Sequence, residues 1–141
     1  MSISTIRSAS DNGKLVAVLG GNELQPDSEN THPRFDEYVF KFERGDLVAR
    51  AEPGDDTLLL SSDSMESSYV VDLTNTEPWN RLIGCEILLA WVLHNHFGYI
   101  DGLQLEFARP GTAWGIQLMS EGSSLSARSI ASLTQMSNLL E

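Results

Sequence analysis

The sequence predicts an α+β fold, mainly antiparallel β, built from two four-strand meanders related by an approximate twofold and completed by one or two short helices. Three observations carry this. Phe35-Asp36-Glu37-Tyr38-Val39-Phe40-Lys41-Phe42-Glu43-Arg44 lies over Ile100-Asp101-Gly102-Leu103-Gln104-Leu105-Glu106-Phe107-Ala108-Arg109, with Asp, alternating apolar residues, Phe and Arg in the same order 65 positions apart. The match reaches back to Gly13 through Leu19, which resembles Gly84 through Ala90 71 positions on, so the first copy has the longer loop. A self-similar period of this length marks a repeated supersecondary unit whose halves bury a shared face. The second observation is the period-two alternation within each copy, and the third is the punctuation by Gly, Pro and Asp at short intervals.

The elements follow in order. Residues 1–12 are polar and serine-rich and read as a flexible tail. Leu15 to Leu19, bounded by Gly13 and Gly20-Gly21, is a short buried strand. Residues 22–33 hold Pro26 and Pro33 and form a loop. Tyr38, Phe40 and Phe42 alternate with Val39, Lys41 and Glu43 as a half-buried strand, Glu43 to Asp46 turns, Leu47 to Ala51 returns, and Pro53 to Asp56 turns again into Thr57 to Leu60. Ser61 to Ser68 is a polar connector, Tyr69 to Leu73 reads as a further short strand, and Thr76-Glu77-Pro78 opens a helical turn that packs Trp79, Leu82 and Ile83 on the core. Glu86 to Leu93 is helix or strand by content alone, and its counterpart at Leu15 to Leu19 decides for strand. Gly102 to Phe107 and Ala113 to Met119 form the next hairpin. Apolar residues at helical spacing from Ile130 to Leu140 suggest a C-terminal helix. The expected organisation is one domain over 1–141: tail 1–12, first repeat 13–61, connector with helical turn 62–83, second repeat 84–127 and C-terminal helix 128–141. Leu15, Phe40, Phe42, Ile87, Leu105 and Phe107 should be buried.

Composition narrows the function classes. The chain has 141 residues, 41% of them apolar, enough for one core without a staple. A single cysteine, Cys85, rules out an intrachain disulfide and points to the cytoplasm. The longest apolar run, Ile87 to Leu93, is too short to span a bilayer as a helix. The formal charge is −11, unevenly held: residues 1–77 carry 15 acidic and 6 basic side chains, residues 78–141 carry 5 and 3. Such a field repels phosphate backbones and anionic membranes and speeds encounter with basic partners, so nucleic acid and membrane are not expected partners and a basic protein is.

The segment Trp79 to Phe107, with Trp-x-x-Leu-x-Gly, an apolar strand, Asn95, then Gly98-Tyr99-x-Asp101 and alternating apolar residues, resembles small uncharacterised bacterial proteins of a domain-of-unknown-function family. The resemblance implies a fold and no activity.

Several constellations bear on chemistry. His94 and His96 stand two apart, so on extended backbone both imidazoles face one side, with Asp101 or Glu106 to complete a set of two histidines and a carboxylate. The other histidine, His32, lies upstream. Asp55, Asp56, Asp63 and Glu66 supply hard oxygens but lack calcium-loop spacing. Asp36 and Asp101, at repeat-equivalent positions, either face each other or cap their own turns. Cys85 at the start of an apolar strand reads as a small buried thiol. No nucleophile elbow or phosphate-cradling glycine loop is present. The reading that fits best is a non-enzymatic acidic module, immunity-like or chaperone-like, with no cofactor, recognising a basic protein partner through Glu52, Asp55 and Asp56. The alternative is a metal-dependent enzyme using His94 and His96 with Asp101.

Overall fold

Two antiparallel sheets share one core in the computed structural model, which describes residues 2–23, 34–52, 57–63, 69–121 and 124–130. The elements run α1 (Ser2–Ser10), β1 (Leu15–Gly21), β2 (Glu37–Phe42), β3 (Gly45–Ala51), β4 (Leu58–Ser61), β5 (Val70–Asp72), a 3-10 turn (Trp79–Arg81), β6 (Glu86–His94), β7 (Ile100–Arg109), β8 (Thr112–Glu121) and β9 (Ser124–Ile130). The first sheet has the order β4-β3-β2-β1-β5 and the second β6-β7-β8-β9. Each therefore contains a four-strand meander of the same connectivity.

The two meanders also carry the same irregularity. The β1–β2 ladder pairs Leu15 with Phe42 and then skips Val16; the β6–β7 ladder pairs Ile87 with Phe107 and then skips Leu88. A bulge of this kind leaves one residue without a cross-strand partner and bends the strand. Val16 and Leu88, the skipped residues, are each 49% exposed. Just before the two strands, Gly13 and Gly84 both have φ +87°, a left-handed conformation that side chains with a Cβ resist. The shared-face expectation holds: Leu15, Phe40, Phe42, Ile87, Leu105 and Phe107 are all in the core.

Aromatic rings join the sheets. Phe107 of β7 stacks on Phe42 of β2, with centroids 6.4 Å apart and planes 11° from parallel, and lies 6.2 Å from Phe40. The series continues through Trp79, 5.9 Å from Phe40 and 5.3 Å from Tyr38, to Phe35, 5.3 Å from Tyr38. The 3-10 turn thus plugs the core with Trp79 and Leu82, as its sequence suggests. Leu15 accepts a hydrogen bond from the Gly84 amide and donates one to the Cys85 carbonyl, tying the start of β1 to the start of β6. At the opposite end of β2, a bridge pairs Phe35 with Leu125, reinforced by Arg34 bonding Glu121. Gly20 permits this approach, because a Cβ there would sit 2.6 Å from the Phe35 ring.

Two expectations need correction. The N-terminal tail is instead the helix α1, which buries Ile6 and Ala9 against β3, β4 and β6. Its apolar residues are Ile3, Ile6 and Ala9, three apart among serines, too few to hold so short a helix alone, and its ordering comes from covering the seam between the sheets. Arg7 in its last turn favours the helix dipole. The short strand expected at Tyr69 to Leu73 is present as β5 and extends the first sheet to five strands, with Gly20 opposite Val71. Residues 128–130, assigned to a C-terminal helix, belong to β9, where Ile130 pairs with Gly115. The remainder of that proposed helix, 131–141, lies outside the described residues.

Candidate functional site

Strand direction brings one end of the first sheet together from distant sequence. The ends of β1 and β3 and the starts of β2 and β5 meet there. The Asp36 amide donates to the Gly21 carbonyl, the Ala51 amide to the Asp36 carbonyl, and the Asn22 amide to the Tyr69 carbonyl, at 3.0, 2.9 and 2.7 Å. Asn22, held at φ +53°, also accepts from the Tyr69 amide at 3.3 Å and points its amide nitrogen at Asp36 Oδ2, 3.4 Å away. Glu23 follows Asn22 and Glu52 follows Ala51, so the chain brings both acidic residues to the end of the sheet where Asp36 lies. Among the described residues none of the three forms an ion pair. Tyr69, 67% exposed, and Val70, 46% exposed, border them. Of the acidic residues expected from sequence, Glu52 is thus placed here half-buried, whereas Asp55 and Asp56 lie outside the described residues. Asp36 and Tyr69 were not singled out for this role; their proximity depends on β5 joining the β1 edge.

The cross-strand carboxylate nearby behaves differently. Glu37, 1% exposed, accepts from Arg50 Nε at 3.1 Å and Nη2 at 2.9 Å across the β2–β3 ladder. Charge-assisted pairing satisfies this buried carboxylate, so it contributes to structure rather than to an open acidic surface. Asp72 is fully exposed, and hydrogen bonds from the Thr74 side chain and backbone hold its carboxyl below the usual range.

The metal constellation does not assemble. His94 and His96 are exposed, and the His96 ring lies 4.0 Å from that of Phe97. His94 pairs with Ile100 while Glu106 pairs with Leu89, five residues back along β6, which separates them by about 16 Å along the strand. The intervening turn is organised by Asn95, whose Oδ1 accepts the Phe97 and Tyr99 amides at 2.9 and 3.2 Å. Asp101 is half-buried beside this turn, and among the described residues no three His, Cys, Asp or Glu side chains group closely enough to hold an ion. Of the calcium candidates only Asp63, exposed, is described.

Cys85 is fully buried with its Sγ 3.8 Å from the Arg81 carbonyl. Burial pushes the thiol above its ordinary pKa, and the Arg109 charge offsets this only in part. A protonated buried thiol is a poor nucleophile. The native protein is accordingly expected to resist a disulfide reagent at neutral pH and to react with one equivalent once unfolded; rapid native-state modification would contradict the burial.

An open groove runs between α1 and the free edge of β6. Its volume is about 460 Å³, and it is bordered by Ile6 and Arg7 of α1 and by Leu88, Leu89, Trp91 and His94 of β6. Leu88 and Leu89 are adjacent yet both nearly half exposed, because the bulge at Leu88 breaks the alternation that would bury one of them. The apolar run was legible in sequence; the groove was not, since it needs the helix as its second wall.

No helix among the described residues is long and apolar enough to cross a membrane. No curated protein and no solved structure matches the chain. A family model covers residues 2–134, nearly the whole length and both meanders, and the chain therefore belongs to DUF6334, a family of unknown function.

Proposed function

We propose that this protein is a non-enzymatic binding module, immunity-like or chaperone-like in kind, that engages a basic protein partner through the acidic end of its first sheet. The observation that carries the reading is that Glu23, Asp36 and Glu52, without described cationic partners, fall at the same end of the first sheet as the exposed Tyr69. Unpaired carboxylates steer a positively charged partner during encounter, and an exposed tyrosine offers a rigid contact with a polar tip that slows its departure. The excess of acidic groups in residues 1–77 acts in the same direction. The matched meanders and bulges support an origin by internal duplication, after which the charge diverged between the halves. The single buried thiol supports a reducing, cytoplasmic setting.

Affinity capture with the full chain, followed by association kinetics of the captured partner, tests this. The combined change Glu23→Gln, Asp36→Asn and Glu52→Gln is expected to slow association about tenfold at low salt and flatten its salt dependence, because exposed charges act mainly on encounter and are screened beyond about 8–10 Å. Tyr69→Ala should instead raise the dissociation rate. Glu121→Gln, in the less acidic half, serves as the control and should leave both rates near native. Equal association before and after the triple change sinks the reading.

A further inference from the structure

We infer that the groove between α1 and β6 binds a single-chain anionic amphiphile, a free long-chain carboxylate, at a site separate from the acidic end of the first sheet. Small-molecule sites are concave, mostly apolar and about 300–1,000 Å³ in size, with a few polar groups that fix orientation. This groove, at about 460 Å³, has that composition: Ile6, Leu88, Leu89 and Trp91 make its apolar wall, and its ionisable lining consists of Arg7 and His94. No carboxylate lines it, although acidic residues outnumber basic ones 20 to 9 in the chain. The Arg7 guanidinium is exposed and forms no ion pair among the described residues, so it is available to a ligand.

The charge selects the head group, because an arginine binds a carboxylate through paired N–H donors and the imidazole of His94 adds a further donor. The chain's overall negative field opposes an anion at long range. At contact distance Arg7 decides, since solvent and salt screen the more distant carboxylates. The apolar wall selects the tail: Leu88 and Leu89 remain nearly half exposed in the free protein, and each methylene buried against them removes apolar surface from water and tightens binding. The groove's volume limits the occupant to one chain.

Calorimetric titration of the full-length protein with dodecanoate below its micelle concentration tests the inference, alongside dodecyltrimethylammonium as the cationic counterpart. One equivalent of dodecanoate should bind, about tenfold or more tighter than the cation. Arg7→Glu, an exposed position, should weaken dodecanoate binding at least about tenfold and bring the two amphiphiles together or reverse their order. Leu88→Glu should abolish binding of both, with circular dichroism reporting the fold; should that variant misfold, the Arg7→Glu comparison decides alone. Absence of saturable binding, equal affinity for anion and cation in the native protein, or indifference to Arg7→Glu would overturn the inference. So would a native dimer dispersed by Leu88→Glu, which would make the groove an interface between copies.

Discussion

Phe107→Ala is expected to destabilise the protein by about 3–5 kcal/mol, the cost typical of removing a fully buried aromatic side chain and leaving a cavity. Phe107 has no solvent exposure and touches Phe42 and Phe40 of the other sheet at once, so its loss opens the junction between the two meanders rather than one layer of either. For a chain of 141 residues this corresponds to a fall in Tm of roughly 10–20 °C, read by thermal or urea unfolding. Phe97→Ala is the contrast: the ring is 74% exposed and its removal should change stability by less than about 0.5 kcal/mol. Comparable effects at the two positions would mean that the sheets do not meet across Phe107.

The second large effect concerns a charge. Arg50→Ala removes the guanidinium that bonds Glu37 through two nitrogens and leaves a carboxylate that is 1% exposed. Removing one partner of a buried ion pair typically costs about 3–5 kcal/mol, more than the pair contributes relative to an apolar replacement. Replacing both ends, Glu37→Leu with Arg50→Met, should therefore recover most of the loss in the same urea titration. A harmless Arg50→Ala would mean that the Arg50–Glu37 pair does not hold β2 to β3. The exposed pair Lys41–Asp46, 3.6 Å apart on the same ladder, gives the scale for comparison, since surface bridges contribute about 0–1 kcal/mol.

The strands were legible because their information is local. Alternation in Tyr38 to Phe42 and Gly102 to Phe107, and glycines or prolines between runs, report which face a residue will take once the backbone is extended. The repeat added what local pattern lacks, assigning Glu86 to Leu93 to a strand by analogy with Leu15 to Leu19. It also named six core positions correctly, because both copies bury the same side of β1 and β2 or of β6 and β7. The helix α1 was not legible for the converse reason. Two apolar contacts, Ile6 and Ala9, do not make a helix stable alone, and the seam they cover exists only after both sheets have formed.

The same division holds for the candidate sites. Net charge and its bias toward residues 1–77 are properties of composition, so the acidic character of the first half needed no coordinates. Which carboxylates form a surface was a tertiary matter. Glu37 has the same chemistry as Glu52, yet Arg50 stands opposite it and it is buried, whereas Glu52 is set beside Asp36 by a backbone bond between Asp36 and Ala51. His94 and His96 have the spacing of a ligand pair, but a turn organised by Asn95 leaves both on the surface with Glu106 far along the hairpin. By itself the sequence determined two meanders, their inward faces, the excess of negative charge and membership of one family, since periodicity and composition are carried by neighbours along the chain. The tertiary structure alone decided the helix over the seam, the pairing of the fifth strand with β1, the acidic end of the first sheet and the groove along β6, because each arises from groups distant in sequence that only strand pairing and sheet packing bring together.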